Sequence, residues 1–282
     1  MVLEAVAKYL SYLERGKSVA ESVSQLCYSY NAPLISEFHN LYRSLFHEHD
    51  EHVKIVKALA KSKRGLSYQE IVEKTELSAG GTLSSRLEEL KQSGFISKIP
   101  IFGKGKKDYL YLLTDEYSLF YLAWSSGVSS IDLQNRGCDY WILQRNTPTW
   151  NSWTGHAFKC LCLKHIESLK GELGIAAVQT KASKWRHKPS LKEKERGAEI
   201  DLLIDRTDNC INLCEIKFCK EEFTIDKDYA EKIQNKKECF LRIEKPHKSL
   251  FTTLITTYGS KHNKHYLSSI DREVTMDALF LR

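Results

Sequence analysis

The sequence has no apolar run near the roughly 18 residues that span a bilayer as a helix, so a transmembrane helix is not expected. It has no C-x-x-C pair, which removes zinc ribbons and thioredoxin-like motifs. Glu4 stands where a secretory signal needs its apolar stretch, which argues against secretion. Proline is scarce at 5 residues, and there is no internal repeat or low-complexity tract, so collagen, disorder and coiled coil are excluded. Neither sign of charge dominates. The 42 lysines and arginines against 36 acids leave a net +6, compatible with a polyanionic partner without demanding one. The 8 cysteines then read as reduced, mostly buried thiols of a cytoplasmic protein.

What is present is ordinary globular material: 282 residues, 42% apolar and 28% charged, enough for about two domains. Residues 1–46 read as three short helices. Ser18 with Glu21 makes a capping box ahead of Val23, Leu26 and Cys27, and Pro33 opens an amphipathic run through Phe38, Leu41, Tyr42 and Leu45. Nothing in this segment carries chemistry. Gly16-Lys17-Ser18 lacks the earlier glycine of a nucleotide-binding P-loop, because position 11 is Ser11, so no ATP site is expected.

Residues 47–115 follow one order: a helix through Val53, Val56 and Leu59, a second capped by Ser67 and Glu70, and a third carrying Leu83, Leu87 and Leu90. The third helix stops at Gly94, and two strands follow, 95–101 and 109–113. That is the order of a winged helix-turn-helix. The window 91–107 holds Lys98, Lys104, Lys106 and Lys107 and no acid, which charges the wing, while Ser84, Ser85 and Arg86 make a thin reading set on the third helix. The alternative is a winged helix used only for domain packing. His47 to His52 is rich in histidine and acid but misses the H-E-x-x-H spacing, so it reads as a solvated helix start.

Residues 116–150 form a helical connection with the aromatic run Tyr117 to Trp124, and the main domain boundary is expected near residue 150. The rest, 151–282, reads as α/β: a helix over 157–169, a strand region 176–185, strands 199–205 and 211–218, a charged helix from Asp226, and a β-rich stretch over 250–258.

The informative stretch is Gly197 to Phe218. As an antiparallel hairpin turning at Asp208, it opposes Asp201 to Glu215 and Glu199 to Lys217. Alternation puts Ile200, Leu202, Ile204, Cys214, Ile216 and Phe218 on one face and Asp201, Glu215 and Lys217 on the other. Two carboxylates directly opposed repel. A divalent cation or a proton between them removes the conflict, and hard oxygen ligands holding Mg²⁺ are what metal-dependent phosphodiester hydrolysis uses. The plainer alternative is a Glu199–Lys217 ion pair beside exposed acids. Before the hairpin, 181–196 carries seven basic residues against Glu193 and Glu195, with Lys184, Trp185, Arg186 and Lys188 in the mix expected where a chain grips phosphates and stacks on a base. A solvated basic loop is the alternative there.

Asp201 with Glu215-Ile216-Lys217 resembles the D…E-x-K core of the PD-(D/E)XK nuclease superfamily. More closely, 1–282 resembles the C-terminal half of a prokaryotic P-loop ATPase family, archaeal and bacterial, in which a winged helix precedes a nuclease-like domain of unknown function. The matching phrases are Lys61 to Leu66, Leu87 to Phe95, Asp115 to Tyr121, Gly197 to Arg206 and Ile211 to Phe218. The resemblance implies a restriction-endonuclease-like α/β domain over 151–282, with 1–46 matching the end of the ATPase's helical lid. It implies Mg²⁺ or Mn²⁺ held by Asp201, Glu215 and the Ile216 carbonyl, with Lys217 as the catalytic lysine and DNA as partner.

The sequence departs from the family in two places. No ATPase core is present, so ATP chemistry is not carried over. Lys159 occupies the position where such nucleases often place a glutamate on the first helix of the domain. A second reading is therefore a catalytically silent DNA- or protein-binding module that works with a separate P-loop ATPase subunit.

Overall fold

The computed structural model describes residues 2–3, 7–29, 32–105, 108–128, 139–145, 147–188 and 197–280. The chain divides into two compact units. The first is Met1–Lys98 with Leu110–Leu161, and the second is Ile99–Tyr109 with Cys162–Arg282. The main division thus falls at Leu161/Cys162, inside a helix, where a boundary near residue 150 is the sequence expectation.

The first unit holds α1 (Ala7–Leu10), α2 (Val19–Tyr28), α3 (Glu37–Leu45), α4 (His49–Ala60), α5 (Tyr68–Thr75) and α6 (Gly81–Gln92). After these come β1 (Ile96–Pro100), β2 (Tyr109–Leu113), α7 (Glu116–Phe120) continued by a π-turn over Tyr121–Ser125, α8 (Asp139–Gln144) and most of α9 (Pro148–Lys164). Both capping boxes are present. Ser18 and Ser67 each accept a hydrogen bond from the backbone of the glutamate three residues on, and that glutamate accepts one in return. Segments 1–46, 47–115 and 116–150 share one core, with Val23, Phe38 and Tyr42 packing in the same cluster as Ile55, Leu87, Phe120 and Trp153. Tyr117 Oη donates to the Leu34 carbonyl at 2.7 Å, tying the π-turn helix to the N-terminal helices.

The expected solvated helix start holds at its exposed residues His47, Glu48 and Asp50 and departs at one, His52, which is fully buried, stacks on Phe46 at 4.0 Å and contacts Glu89 through Nε2 at 2.8 Å. Its Nδ1 faces the Glu48 carbonyl at 3.1 Å, so both ring nitrogens lie against polar partners, and the stack adds dispersion.

The second unit is built on a five-stranded mixed sheet ordered β3-β4-β5-β6-β7, with β3 Thr180–His187, β4 Ala198–Arg206, β5 Cys210–Lys217, β6 Ser249–Thr256 and β7 Arg272–Thr275. The first three strands are antiparallel. The pairs β5–β6 and β6–β7 are parallel. A parallel pair needs a crossover, and β5 to β6 is made by α11 (Lys227–Glu244), capped by Asp226, whose carboxylate accepts from the Tyr229 N–H at 2.8 Å. Helices α10 (Ile166–Glu172) and α12 (Lys264–Ser269) complete the unit. Cys239 and Phe240 of α11 pack on Trp185, Ile200, Leu203, Ile211 and Leu213. No helix among the described residues is long and apolar enough to cross a membrane.

Candidate functional site

The hairpin forms in the register the sequence suggests. Leu202 pairs with Cys214, Leu203 with Leu213, Ile204 with Asn212 and Asp205 with Ile211, around a turn in which Asn209 takes a left-handed φ of 60°. The ladder stops at Leu202–Cys214. Beyond it the Ile216 N–H donates to the Asp201 carboxylate at 3.1 Å, so a side chain takes the place of the next backbone partner.

On the other side of β4, Ser183 faces Leu203 but Trp185 faces Ile200, so β4 carries one extra residue at Asp201–Leu202. Bulges of this kind re-aim side chains and end pairing. This one overturns the expected faces: Ile200 packs with Leu203, Leu213 and Phe240 instead of sharing a face with Ile204 and Cys214. Strict alternation cannot anticipate an inserted residue.

The two acids are buried, Asp201 at 7% and Glu215 at 5% exposure. Burial pushes the Glu215 carboxyl above its usual range, and the Asp201 charge pushes it further, while Lys236 and Lys217 pull it back. Lys217 is half-buried at the end of β5, and its Nζ lies 5.0 Å from the centre of the Tyr229 ring on α11. The Tyr229 hydroxyl is buried without a hydrogen-bond partner; burial, and then the charges of Glu215 and Asp201, hold it protonated.

The closest contact is made by a residue the hairpin does not contain. Lys236 Nζ lies 2.5 Å from Glu215 Oε1. Tyr229, Ile233, Lys236 and Phe240 recur at helical spacing along α11, so this lysine sits in the stripe that otherwise packs on the sheet. A lysine in an apolar helical stripe is the sequence signal that could have found it.

Two buried carboxylates and the Ile216 carbonyl are hard oxygen donors, and Mg²⁺ keeps several waters when only one or two carboxylates bind it. The donors therefore fit one such ion. No group of three or more His, Cys, Asp or Glu side chains suited to a metal occurs among the described residues.

The expected nucleic-acid contacts fall in both units. Trp185 is a correction: it is 2% exposed, its Nε1 donates to Glu244 at 2.7 Å and its ring packs on Phe240, so it has no face to offer a base. Lys184 is buried on β3, and its carbonyl accepts from the Phe102 N–H at 2.9 Å. Arg186 and Lys188 are exposed, Arg186 lying 3.9 Å from Glu199. Residues 189–196 lie outside the described residues.

In the first unit Arg86 is enclosed by Glu48, Glu51 and Glu89, with its side chain 17% exposed, because an arginine fork among three carboxylates is held by charge-assisted bonds. Lys98 lies over the Tyr111 ring at 5.7 Å. Lys104 is exposed, and Lys106 and Lys107 lie outside the described residues. The outer part of the β1–β2 hairpin belongs to the second unit, where the Phe102 ring packs on Phe240 at 5.4 Å. Lys159, on α9, is half-buried and belongs to the first unit, whereas Asp201 and Glu215 belong to the second.

No protein-family model matches the chain. No curated protein matches it either.

Proposed function

We propose that the second unit is a Mg²⁺- or Mn²⁺-dependent phosphodiesterase site of the PD-(D/E)XK type, and that the helices α4–α6 with the β1–β2 hairpin form a winged helix that brings it to DNA. The observation that carries this reading is the buried Asp201–Glu215 pair at the point where β4 and β5 part, with Lys217 at the strand end. Burying two acids together is costly unless a cation or a function compensates.

Asp201, Glu215 and the Ile216 carbonyl would hold the ion. When bound, the metal supplies an activated water and neutralises charge on the phosphate. Asp201 is oriented by the Ile216 N–H, which donates to its carboxylate. Lys217 has its amine above the Tyr229 ring, which holds it near the strand end without a covalent tie. There it orients the attacking water and offsets charge that builds on the phosphate, a preorganised electrostatic role.

The test is calorimetric titration with Mn²⁺ beside a cleavage assay on single- and double-stranded DNA. Asp201→Ala should lose metal binding and cleavage together. Lys217→Ala should keep the metal and lose most cleavage, because the lysine is not a ligand. A parent that binds no Mn²⁺ and cuts neither substrate sinks the reading.

One observation favours the second reading, a silent binding module working with an ATPase partner: Lys236 already neutralises Glu215, so the acid pair is tolerable without any metal. Under that reading Asp201→Ala changes neither DNA nor partner binding.

A further inference from the structure

Glu215 has a cation of its own. The Lys236 ammonium lies 2.5 Å from its Oε1, and the two side chains are unequally accessible, 29% exposed for the lysine and 6% for the glutamate. The carboxylate is therefore fixed in the sheet, while the ammonium ends a four-carbon stem that can carry it to solvent without moving the helix. Buried Ile233 and Phe240 flank Lys236 at helical spacing on α11.

Among the described residues, the charged and titratable groups acting on Glu215 include Asp201 on β4, Lys217 on β5, and Lys236 with the Tyr229 hydroxyl on α11. The Lys236 amine donates directly to the glutamate. A buried carboxylate left without its partner is strongly destabilising, so Glu215 is stable as a charged group only with a cation beside it.

We propose that Lys236 is a built-in counter-ion that occupies Glu215 in the metal-free protein and must withdraw for a divalent ion to bind. The inference rests on the metal-site reading above and adds its regulation: metal loading is an exchange of one cation for another. The lysine keeps Asp201 and Glu215 together when no metal is bound, and it weakens the apparent affinity of the site by the attraction it must give up.

The experiment is Mn²⁺ titration of the full chain by calorimetry, with Lys236→Gln, the charge-conserving Lys236→Arg, and Lys232→Gln as an exposed control on the same helix. Lys236→Gln should bind Mn²⁺ tighter by roughly tenfold or more, since a neighbouring unit charge at a partly screened site is worth at least that much. It should also melt lower than the parent in chelator. Lys236→Arg and Lys232→Gln should bind as the parent does.

A purely structural lysine would lower the melting temperature and leave Mn²⁺ affinity unchanged or weaker, and that result overturns the inference while the metal reading stands. Absence of Mn²⁺ binding in both the parent and a folded Lys236→Gln overturns the metal reading and the inference with it. If Lys236→Gln does not fold, acetylation of the Lys236 amine in the parent decides. Saturating Mn²⁺ should speed it several-fold, and an unchanged rate in protein that calorimetry shows to be metal-bound overturns the exchange.

Discussion

At the scale of single residues, Asp201 and Glu215 make a measurable conflict in the metal-free protein. The Glu215 carboxyl is raised from its ordinary 4.5 by burial first and by Asp201 second. A raised acid contributes stability that is complete below 4.5 and lost as pH rises through the higher folded value. Asp201→Asn removes the like charge, and its amide oxygen can still accept the Ile216 N–H, so it lowers that folded value and recovers part of the loss. In chelator at pH 8 the variant should be more stable than the parent by about 1 kcal/mol. Near pH 4 the gain should shrink, because Glu215, raised above its ordinary 4.5, is then largely protonated in the parent and the repulsion is already relieved. Urea unfolding at the two pH values checks this, and a variant less stable than the parent at both would contradict the like-charge account.

The same scale shows why some residues misled. Trp185 sits in a basic stretch, which suggested base stacking, yet its indole is the largest side chain of the second unit's core. Composition reports the neighbours in sequence, whereas burial depends on neighbours in space. His52 repeats the lesson, since its partners Phe46 and Glu89 lie on other elements.

At the scale of elements, the helix starts were legible because caps are local. In Ser67–Glu70, the Glu70 N–H donates to Ser67 Oγ at 3.2 Å, and the Ser67 N–H donates to Glu70 Oε2 at 2.8 Å, all within four residues. Ser67→Ala should cost about 1 kcal/mol of stability. Chemical denaturation measures it, and a change near zero would mean that α5 is held by packing alone. The β4–β5 hairpin was legible for a similar reason, because a short turn sets the register of both strands. The bulge at Asp201–Leu202 was not, because it is a mismatch between β4 and β3, a strand more than ten residues away.

Strand β7 and helix α12 also escaped the pattern. Both are short, and Tyr266, Val274 and the intervening Ile270 find their core only in the folded unit.

At the scale of the whole molecule, a net charge of +6 and the cluster Lys104, Lys106 and Lys107 bear on DNA binding. Each phosphate contact released makes affinity fall with salt, so duplex binding by the parent should weaken steeply between about 50 and 200 mM salt. Replacing the three lysines with alanine should lower affinity and flatten the slope. Fluorescence anisotropy over a salt series reads both quantities. An unchanged slope would leave the hairpin as a packing element, the role in which Phe102 and Lys184 already serve within the second unit.

What the sequence determined by itself is what short-range chemistry controls: the capped helices, the order of helices and hairpin, the pairing of β4 with β5 and therefore the meeting of Asp201 with Glu215. The tertiary structure decided the rest. It placed Lys236 on Glu215 across 21 residues, buried Trp185 and His52, and enclosed Arg86 among three carboxylates. The physical reason is that periodicity states which face of an element is apolar but not which element covers it. A charge buried by that covering helix acquires its partner only when the helix docks.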